Sequence, residues 1–395
     1  MRACRFQGTE RRNLPKSGDD LIPEKHPLLV WWWSQRALVA CMQRFCFLSL
    51  FAAVAGILAA QEMPAVSSSQ PLPPLPEGAF TLVVIPDTQS YRGRGCKATP
   101  DSTEPVSNVN LAAQIDWILA NRQKQNVVFV THVGDIVDRN TPEQWAVAKQ
   151  QLNRLRGVLP FALTVGNHDM TSRGDARLFQ QHFPAASFAG EPWYLGSYEH
   201  DRADRHVSRD NVNSAQIFSA GGLDFLHLSL ECNAPDDVLA WAGGLLARHT
   251  GRRAIITTHM DLGIVKKPKT AEGFIHDPKG RMNWSKIHGD HGNTGQQMWD
   301  KLYRRHANLH FVLSGDQSRV TSLRREDRAD DGHVVHALLS DYMSQPVLRL
   351  MRILPQEDRV DILTLEVSKE QLVEATRHVP EATAHAFSLP YRMRQ

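Results

Sequence analysis

Apolar, β-branched runs that stop at acidic, amide or imidazole side chains are the strongest constraint on this chain. Phe80-Thr81-Leu82-Val83-Val84-Ile85 runs into Asp87-Thr88-Gln89. Val127-Val128-Phe129-Val130 runs into Gly134-Asp135-Ile136-Val137-Asp138, and Phe161-Ala162-Leu163-Thr164-Val165 into Gly166-Asn167-His168-Asp169. Ala254-Ile255-Ile256-Thr257 precedes Thr258-His259, and Leu309–Leu313 precedes Gly315-Asp316. Each run reads as a buried strand. Ligands of α/β sheets collect beyond the carboxyl ends of strands. Asp, Asn and His are oxygen and nitrogen donors for divalent metals. One Asp after a strand is usually a cap or turn residue; five such ends in one chain point to a shared site.

Helical patterns separate the strands. Leu111, Ile115, Ile118 and Leu119 line one face of a helix expected over Asn108–Arg122. A second helix has Thr141 as N-cap, Pro142 at its first position and Gln144 completing a capping box, with Gly157 stopping it. Thr294 and Gln297 suggest another capped helix. Gly221-Gly222 between two apolar runs reads as a hairpin, and Val347–Ile353 with Val360–Val367 reads as another. The class is α/β, with an antiparallel second half that two stacked sheets flanked by helices would accommodate.

Composition serves mainly to separate the leader from the rest. The 395 residues are 42% hydrophobic and 22% charged, which excludes wholesale disorder. The formal charge is +3, but residues 1–60 hold eight Lys/Arg and four Asp/Glu, leaving the remainder at −1. A near-neutral remainder without a basic stripe gives no strong nucleic-acid signal. Arg44 followed by the apolar run Phe45–Ala60 reads as a secretory signal peptide, with Met42 as an alternative start. Export to the periplasm, cell surface or outside is therefore expected, with an uncleaved anchor as the alternative. The run is short for a membrane span of ~20 residues, so none is expected in the mature chain. Residues 61–78, with Ser67-Ser68-Ser69 and Pro71, Pro73, Pro74 and Pro76, read as a Pro/Ser-rich linker. One domain is expected over residues 79–395.

The strand-end series resembles the calcineurin-like metallophosphoesterase superfamily, whose motifs run D-x-H, G-D-x-x-D, G-N-H-D/E, a later H, and G-H-x-H. It is similar in particular to a branch with D-T-Q in the first motif. Ser219-Ala220-Gly221-Gly222-Leu223, Leu239-Ala240-Trp241-Ala242 and Leu339-Ser340-Asp341-Tyr342 also match that branch. The resemblance implies an αββα sandwich of two mixed sheets with a dinuclear metal site at the carboxyl ends of the strands. It implies a metal-dependent hydrolase of phosphate mono- or diesters, most concretely a phosphatase, with a metal-bridging hydroxide as nucleophile; with the leader, the expectation is an exported enzyme. Asp87 and Gln89 would serve the first metal, Asp135 would bridge, and Asn167, His259 and Asp316 would serve the second. His168 would act near the leaving-group oxygen, Asp169 would hold its imidazole, and Arg139 would bind phosphate oxygens. The two cations would be Mn, Fe, Zn or Mg. The substrate would be a phosphorylated small molecule, polymer or protein.

Departures from the motifs carry their own expectations. Gln89 stands for the His of D-x-H, and Gly315-Asp316-Gln317-Ser318 stands for G-H-x-H. The first site would then be weak, and oxygen-rich ligation would favour Mn²⁺, Mg²⁺ or Ca²⁺ over zinc. The alternative is a weak or inactive protein that binds phospho-ligands on the same fold; a third reading is nuclease activity. His288, Asp290 and His291 lie in an expected loop that could supply a replacement ligand. His132 reads as structural, and Arg202–Asp210 as an exposed loop. Cys96 and Cys232, the only cysteines beyond the leader, are either a disulfide, which export permits, or two separate thiols.

Overall fold

A strand forms where the sequence suggested a linker. The computed structural model describes residues 65–394; the leader and its export signal lie outside the described residues. β1 (Val66–Pro71) pairs antiparallel with the later strand Gln371–Thr376. Its register breaks at Ser67/Ser68 and Ser68/Gln70, which hides the strand's period from the sequence. The prolines that follow are fastened as well. Buried Arg352 donates to the carbonyls of Pro73 at 2.7 Å and Pro74 at 3.2 Å, and to Gln125 Oε1 at 2.7 Å. Proline lacks an N–H but keeps its acceptor. The linker reading is corrected accordingly: the segment from Val66 belongs to the folded unit.

Then β2 (Phe80–Ile85), α1 (Val109–Asn121), β3 (Val127–His132), α2 (Pro142–Leu152) and β4 (Phe161–Leu163) give three parallel strands with crossover helices. After α3 (Arg177–His182) come β5 (Tyr194–Ser197), β6 (Ser214–Ala220), β7 (Leu223–Ser229), α4 (Asp236–Arg248) and β8 (Arg253–Thr257). β9 (Leu262–Ile264), α5 (Gly273–His276), β10 (Lys279–Arg281), α6 (Gly295–Lys301), β11 (Leu309–Ser314), β12 (Ser322–Arg328) and β13 (Val334–Ser340) follow. β14 (Val347–Leu354), β15 (Arg359–Glu366), β16 (Gln371–Thr376) and β17 (Phe387–Pro390) return to the first sheet. That sheet has the order β1-β16-β15-β14-β2-β3-β4, with β17 on β15. The second has the order β12-β13-β11-β8-β7-β6-β5, and β9 and β10 form a small ribbon. Both large sheets are mixed.

Alternation along single strands sets the layers. Val83 and Ile85 of β2 face α1 and α2, whereas Phe80, Leu82 and Val84 face the other sheet. In β11, Val312 joins the α4 and α6 side, while Phe311 and Leu313 face inward. Strands covered on both faces read as continuous apolar runs, as these do. The order is helix, sheet, sheet, helix, the expected αββα sandwich of two mixed sheets. Phe129 stacks on Phe218 at 4.6 Å, and Phe218 on Phe225 at 4.9 Å. A polar clasp crosses the same interface: Thr131 Oγ1 donates to Thr257 Oγ1 at 2.9 Å, and His227 bonds Thr257 Oγ1 and Gln216 Oε1, each at 2.8 Å.

Local signals hold with one exception. Asn108 caps α1, and Thr294 with Gln297 forms a full capping box on α6. Thr141 caps α2, but Gln144 does not complete a box. Its Oε1 takes the N–H groups of Asp138 and Arg139 at 2.9 Å each, because the strand-end loop passes directly over the helix start. Gly221 and Gly222 both have positive φ, as a two-residue hairpin between twisted strands requires. Cys96 and Cys232 are buried, free thiols. Among the described residues no helix is long and apolar enough to cross a membrane.

Candidate functional site

Six strand ends meet at one edge of the sandwich. Those of β2, β3 and β4 belong to the first sheet, and those of β8, β11 and β13 to the second. They surround a cleft of about 200 Å³ whose lining includes Asp87, Gln89, Asp135, His168 and Asp316. Lys286, Ser318, Arg319 and Asp341 line it as well. A larger cavity, about 700 Å³, lies among Arg173, Arg202, Asp236, His288 and Lys301 and includes none of the strand-end ligand candidates.

The loop after β3 places the central carboxylate. Gly134 and Asp135 both adopt positive φ, +99° and +51°. A side chain at Gly134 would meet the His259 ring 2.8 Å away, so glycine is required there. Asp tolerates the left-handed region better than most residues. The turn aims Asp135 into the site, where Oδ1 accepts from His168 N at 2.8 Å and Oδ2 from Gln89 Nε2 at 2.7 Å.

Asp87, Asp135 and His259 form a buried group whose ligand atoms all lie within 4.8 Å of one another. His259 Nδ1 donates to Val133 O at 2.8 Å, which leaves Nε2 as an acceptor in the neutral ring. Nε2 faces Asp135 Oδ1 at 3.1 Å without hydrogen-bond geometry. Asp87 Oδ1 also lacks a partner, although buried. Acceptors packed together out of water are costly unless a cation sits among them. A divalent ion fits that requirement, and two carboxylates with one imidazole suit ions from Mg²⁺ to Zn²⁺. Protons show the same demand. Burial opposes charging His259, yet Asp135, Asp87 and Asp316 override it and hold its proton affinity well above the ordinary value. Burial, then Asp341, pushes Asp87 well up.

His168 turns its ring toward the cleft. Nδ1 lies 2.7 Å from Asp138 O, so it carries the proton, and Nε2 lies 4.0 Å from Asp135 Oδ2. Asp169 does not hold this ring, contrary to the expectation. It is fully buried and accepts the backbone N–H groups of Gly166 at 2.8 Å, Val137 at 3.0 Å and Ile136 at 3.1 Å. Its carboxylate points into the turn that shapes Asp135, where three donors outcompete one ring. Arg139 is exposed and does not line the cleft, which corrects its placement as a phosphate ligand. Lys286 and Arg319 bring positive charge to the cleft instead.

Asp316 stays beside the buried trio, its Oδ1 3.6 Å from His259 Nε2, but it and the other expected ligands are engaged by further side chains. Lys286 Nζ pairs with Asp316 Oδ1 and donates to Asn167 Oδ1 at 3.2 Å. Asn167 and Asp316 are thereby joined through an ammonium. Gln89 presents its amide N–H to Asp135, acting as a donor and not as a ligand. His288, suggested as a replacement ligand, bonds Glu231 Oε2 at 3.0 Å, while Asp290 and His291 are exposed. His132 is structural: Nδ1 accepts from Gly134 N at 3.1 Å and Nε2 lies 3.0 Å from Thr88 Oγ1.

Asp341, Lys286 and Arg319 are functional candidates beyond those the motifs indicate. Asp341 follows β13 as the other acids follow their strands, so the same signal was available. Burial pushes its carboxyl up to about 7 against a hydrogen bond from Met343 N, with Asp316 and Asp135 adding to the rise. Lys286 had no comparable signal, because a lysine in a polar loop ordinarily points to solvent.

A family model described as calcineurin-like phosphoesterase matches residues 80–319. The chain is 25% identical over 299 residues to the uncharacterized protein YvnB of Bacillus subtilis (strain 168). That match covers 72% of this chain and 20% of the relative, so the chain spans about a fifth of the relative's length. Among solved structures it is similar to a dimetal phosphatase from Danio rerio, with 13% identity, TM-score 0.42, and coverage of 81% of this chain and 100% of that one. It is also similar to a 5′-nucleotidase precursor from Thermus thermophilus, with 15% identity, TM-score 0.40, and coverage of 78% and 56%.

Proposed function

Because the chain belongs to the calcineurin-like phosphoesterase family, we propose that its strand-end cleft hydrolyses phosphate mono- or diesters with a divalent metal. The buried Asp87–Asp135–His259 group, with Asp87 Oδ1 and His259 Nε2 lacking partners, carries this reading. Asp87, Asp135 and His259 would hold the ion. When bound, it would supply Lewis acidity and lower the pKa of water toward neutrality.

The chain's own residues would do the rest. Lys286 and Arg319 face the cleft with charges suited to phosphoryl oxygens. His168 Nε2 faces the same space, its ring fixed by the Nδ1–H bond to Asp138 O, and in the imidazolium form it would be placed to donate the Nε2 proton to a leaving alkoxide. The mixed polar lining supports an open substrate class, either a phosphorylated small molecule or the phosphorylated end of a polymer or protein. Manganese is the proposed ion, because carboxylates outnumber imidazoles. Export through the leader remains part of the proposal, on the basis of Arg44 and the apolar run Phe45–Ala60.

A second reading is binding without turnover. Gln89 and Ser318 favour it, since they stand where the family motifs have histidines. A cleft-facing imidazole beside Asp135 favours catalysis. The deciding experiment assays nitrophenyl phosphate mono- and diesters with the purified chain and added Mn²⁺. Metal-dependent turnover that falls at least ~100-fold in Asp135→Asn is expected. No turnover of either ester would leave the binding reading; turnover unchanged in Asp135→Asn would refute the site.

A further inference from the structure

We propose that Lys286 is a built-in cation occupying the second metal position, so that the centre takes one divalent ion and not two. This rests on the metal-dependent reading above. Asn167 and Asp316, both expected to serve a second ion, are the two residues that the ammonium engages. Asp316 has only 1% of its side chain exposed and needs a countercharge, which Lys286 supplies. The other oxygen of Asp316 is also committed, accepting from Gln317 Nε2 at 2.7 Å.

The lysine is placed by its backbone and not by chance reach. Asn233 Oδ1 accepts the N–H groups of Lys286 at 2.9 Å and Ile287 at 3.3 Å. Asn233 is itself buried and donates to Asn293 O at 3.0 Å. Nζ also lies 5.8 Å from the centre of the Trp284 ring. A dinuclear centre sets its ions ~3.5–4 Å apart. His259, the third ligand expected for a second ion, is grouped with Asp87 and Asp135 instead, and a second divalent ion here would have to displace the ammonium that already engages Asn167 and Asp316. An ammonium has donors and no acceptor. It can balance charge and donate hydrogen bonds to a phosphoryl oxygen, but it cannot act as a second Lewis acid.

The test is a metal count on the full chain. The protein is loaded with excess Mn²⁺ and cleared by gel filtration; manganese per chain is measured by plasma mass spectrometry and its coupling by electron paramagnetic resonance. One ion per chain with an uncoupled six-line signal is expected. Lys286→Met, which keeps length and removes charge, should double the count and give an exchange-coupled signal, while Lys286→Arg should stay at one ion. Two coupled ions in the unmodified chain would overturn the proposal and leave the metal-dependent reading standing. A Lys286→Met protein with a native melting curve and still one ion would also overturn it. No ion at all, with Mn²⁺ or with Zn²⁺, would overturn both. Should Lys286→Met fail to fold, the count on the unmodified chain decides alone.

Discussion

The carboxylate of Asp169 is bonded to the backbone of Val137, 3.0 Å from its N–H, and not to the ring of the neighbouring His168. With Gly166 and Ile136 it fixes the turn that carries Asp135. Asp169→Asn puts an amide donor where donors already point. The expected result is a loss of about 2–4 kcal/mol in urea unfolding, on the scale of unmade buried hydrogen bonds. The pH profile of any turnover should keep its shape. A shifted profile with unchanged stability would instead return Asp169 to a role on His168.

Asp341 crowds the same cleft as Asp87 and Asp316. Its charge is placed to strengthen cation binding through the local field. Asp341→Asn should weaken Mn²⁺ binding ~10–100-fold, as loss of a supporting group around a metal typically does. Competition with a chelator measures this. Unchanged affinity would reduce Asp341 to a cap for the Met343 N–H.

Arg352 ties the proline segment to the sheet. Arg352→Met strips the carbonyls of Pro73 and Pro74 of their donor. The segment should then open to limited proteolysis ahead of residue 79, with a stability loss of about 2 kcal/mol. Cleavage at equal rates in both proteins would show that β1 alone holds it.

His227 gives a pH prediction remote from the cleft. Burial lowers its pKa from the ordinary 6.5 to about 3. Between those values the unfolded chain takes up a proton that the folded chain refuses. The contribution of His227 is therefore complete above 6.5 and lost as pH falls from 6.5 toward 3. His227→Gln should flatten the acid limb of stability against pH by up to about 1.4 kcal/mol per pH unit, one proton's worth. Equal slopes would show that His227 already charges in the folded state.

The parts legible in the sequence are those with short-range causes. Strands covered on both faces announced themselves by continuous apolar runs, and their polar ends by position. Asn108, Thr294 and the Gly221-Gly222 turn act within a few residues, so they could be read locally. β12 could not: Ser322-Leu323-Arg324-Arg325-Glu326-Asp327-Arg328 is an edge strand with mostly outward charges. β1 was masked by serines, prolines and a broken register. In the site, residue identities were readable but partnerships were not. Gln144 was expected to cap its own helix and serves the loop beside it. Asp169 sits beside the His168 ring in sequence but serves backbone at Ile136 and Val137. Lys286 is distant in sequence from Asn167, and no local pattern joins them.

The buried trio is rooted in both sheets. Asp87 and Asp135 hang from β2 and β3 of one sheet, whereas His259 follows β8 of the other. An ion among them would be a crosslink between the two halves of the sandwich. At one hundred times its dissociation constant it would add about 2.7 kcal/mol to stability. The spacing of the sheets, set by Phe129 on Phe218 and by the Thr131–Thr257 bond, would in turn act as a gauge for ionic radius. Phe129→Leu, buried and outside the cleft lining, should then change the ranking of Mg²⁺, Mn²⁺ and Zn²⁺ before it changes the ligands themselves.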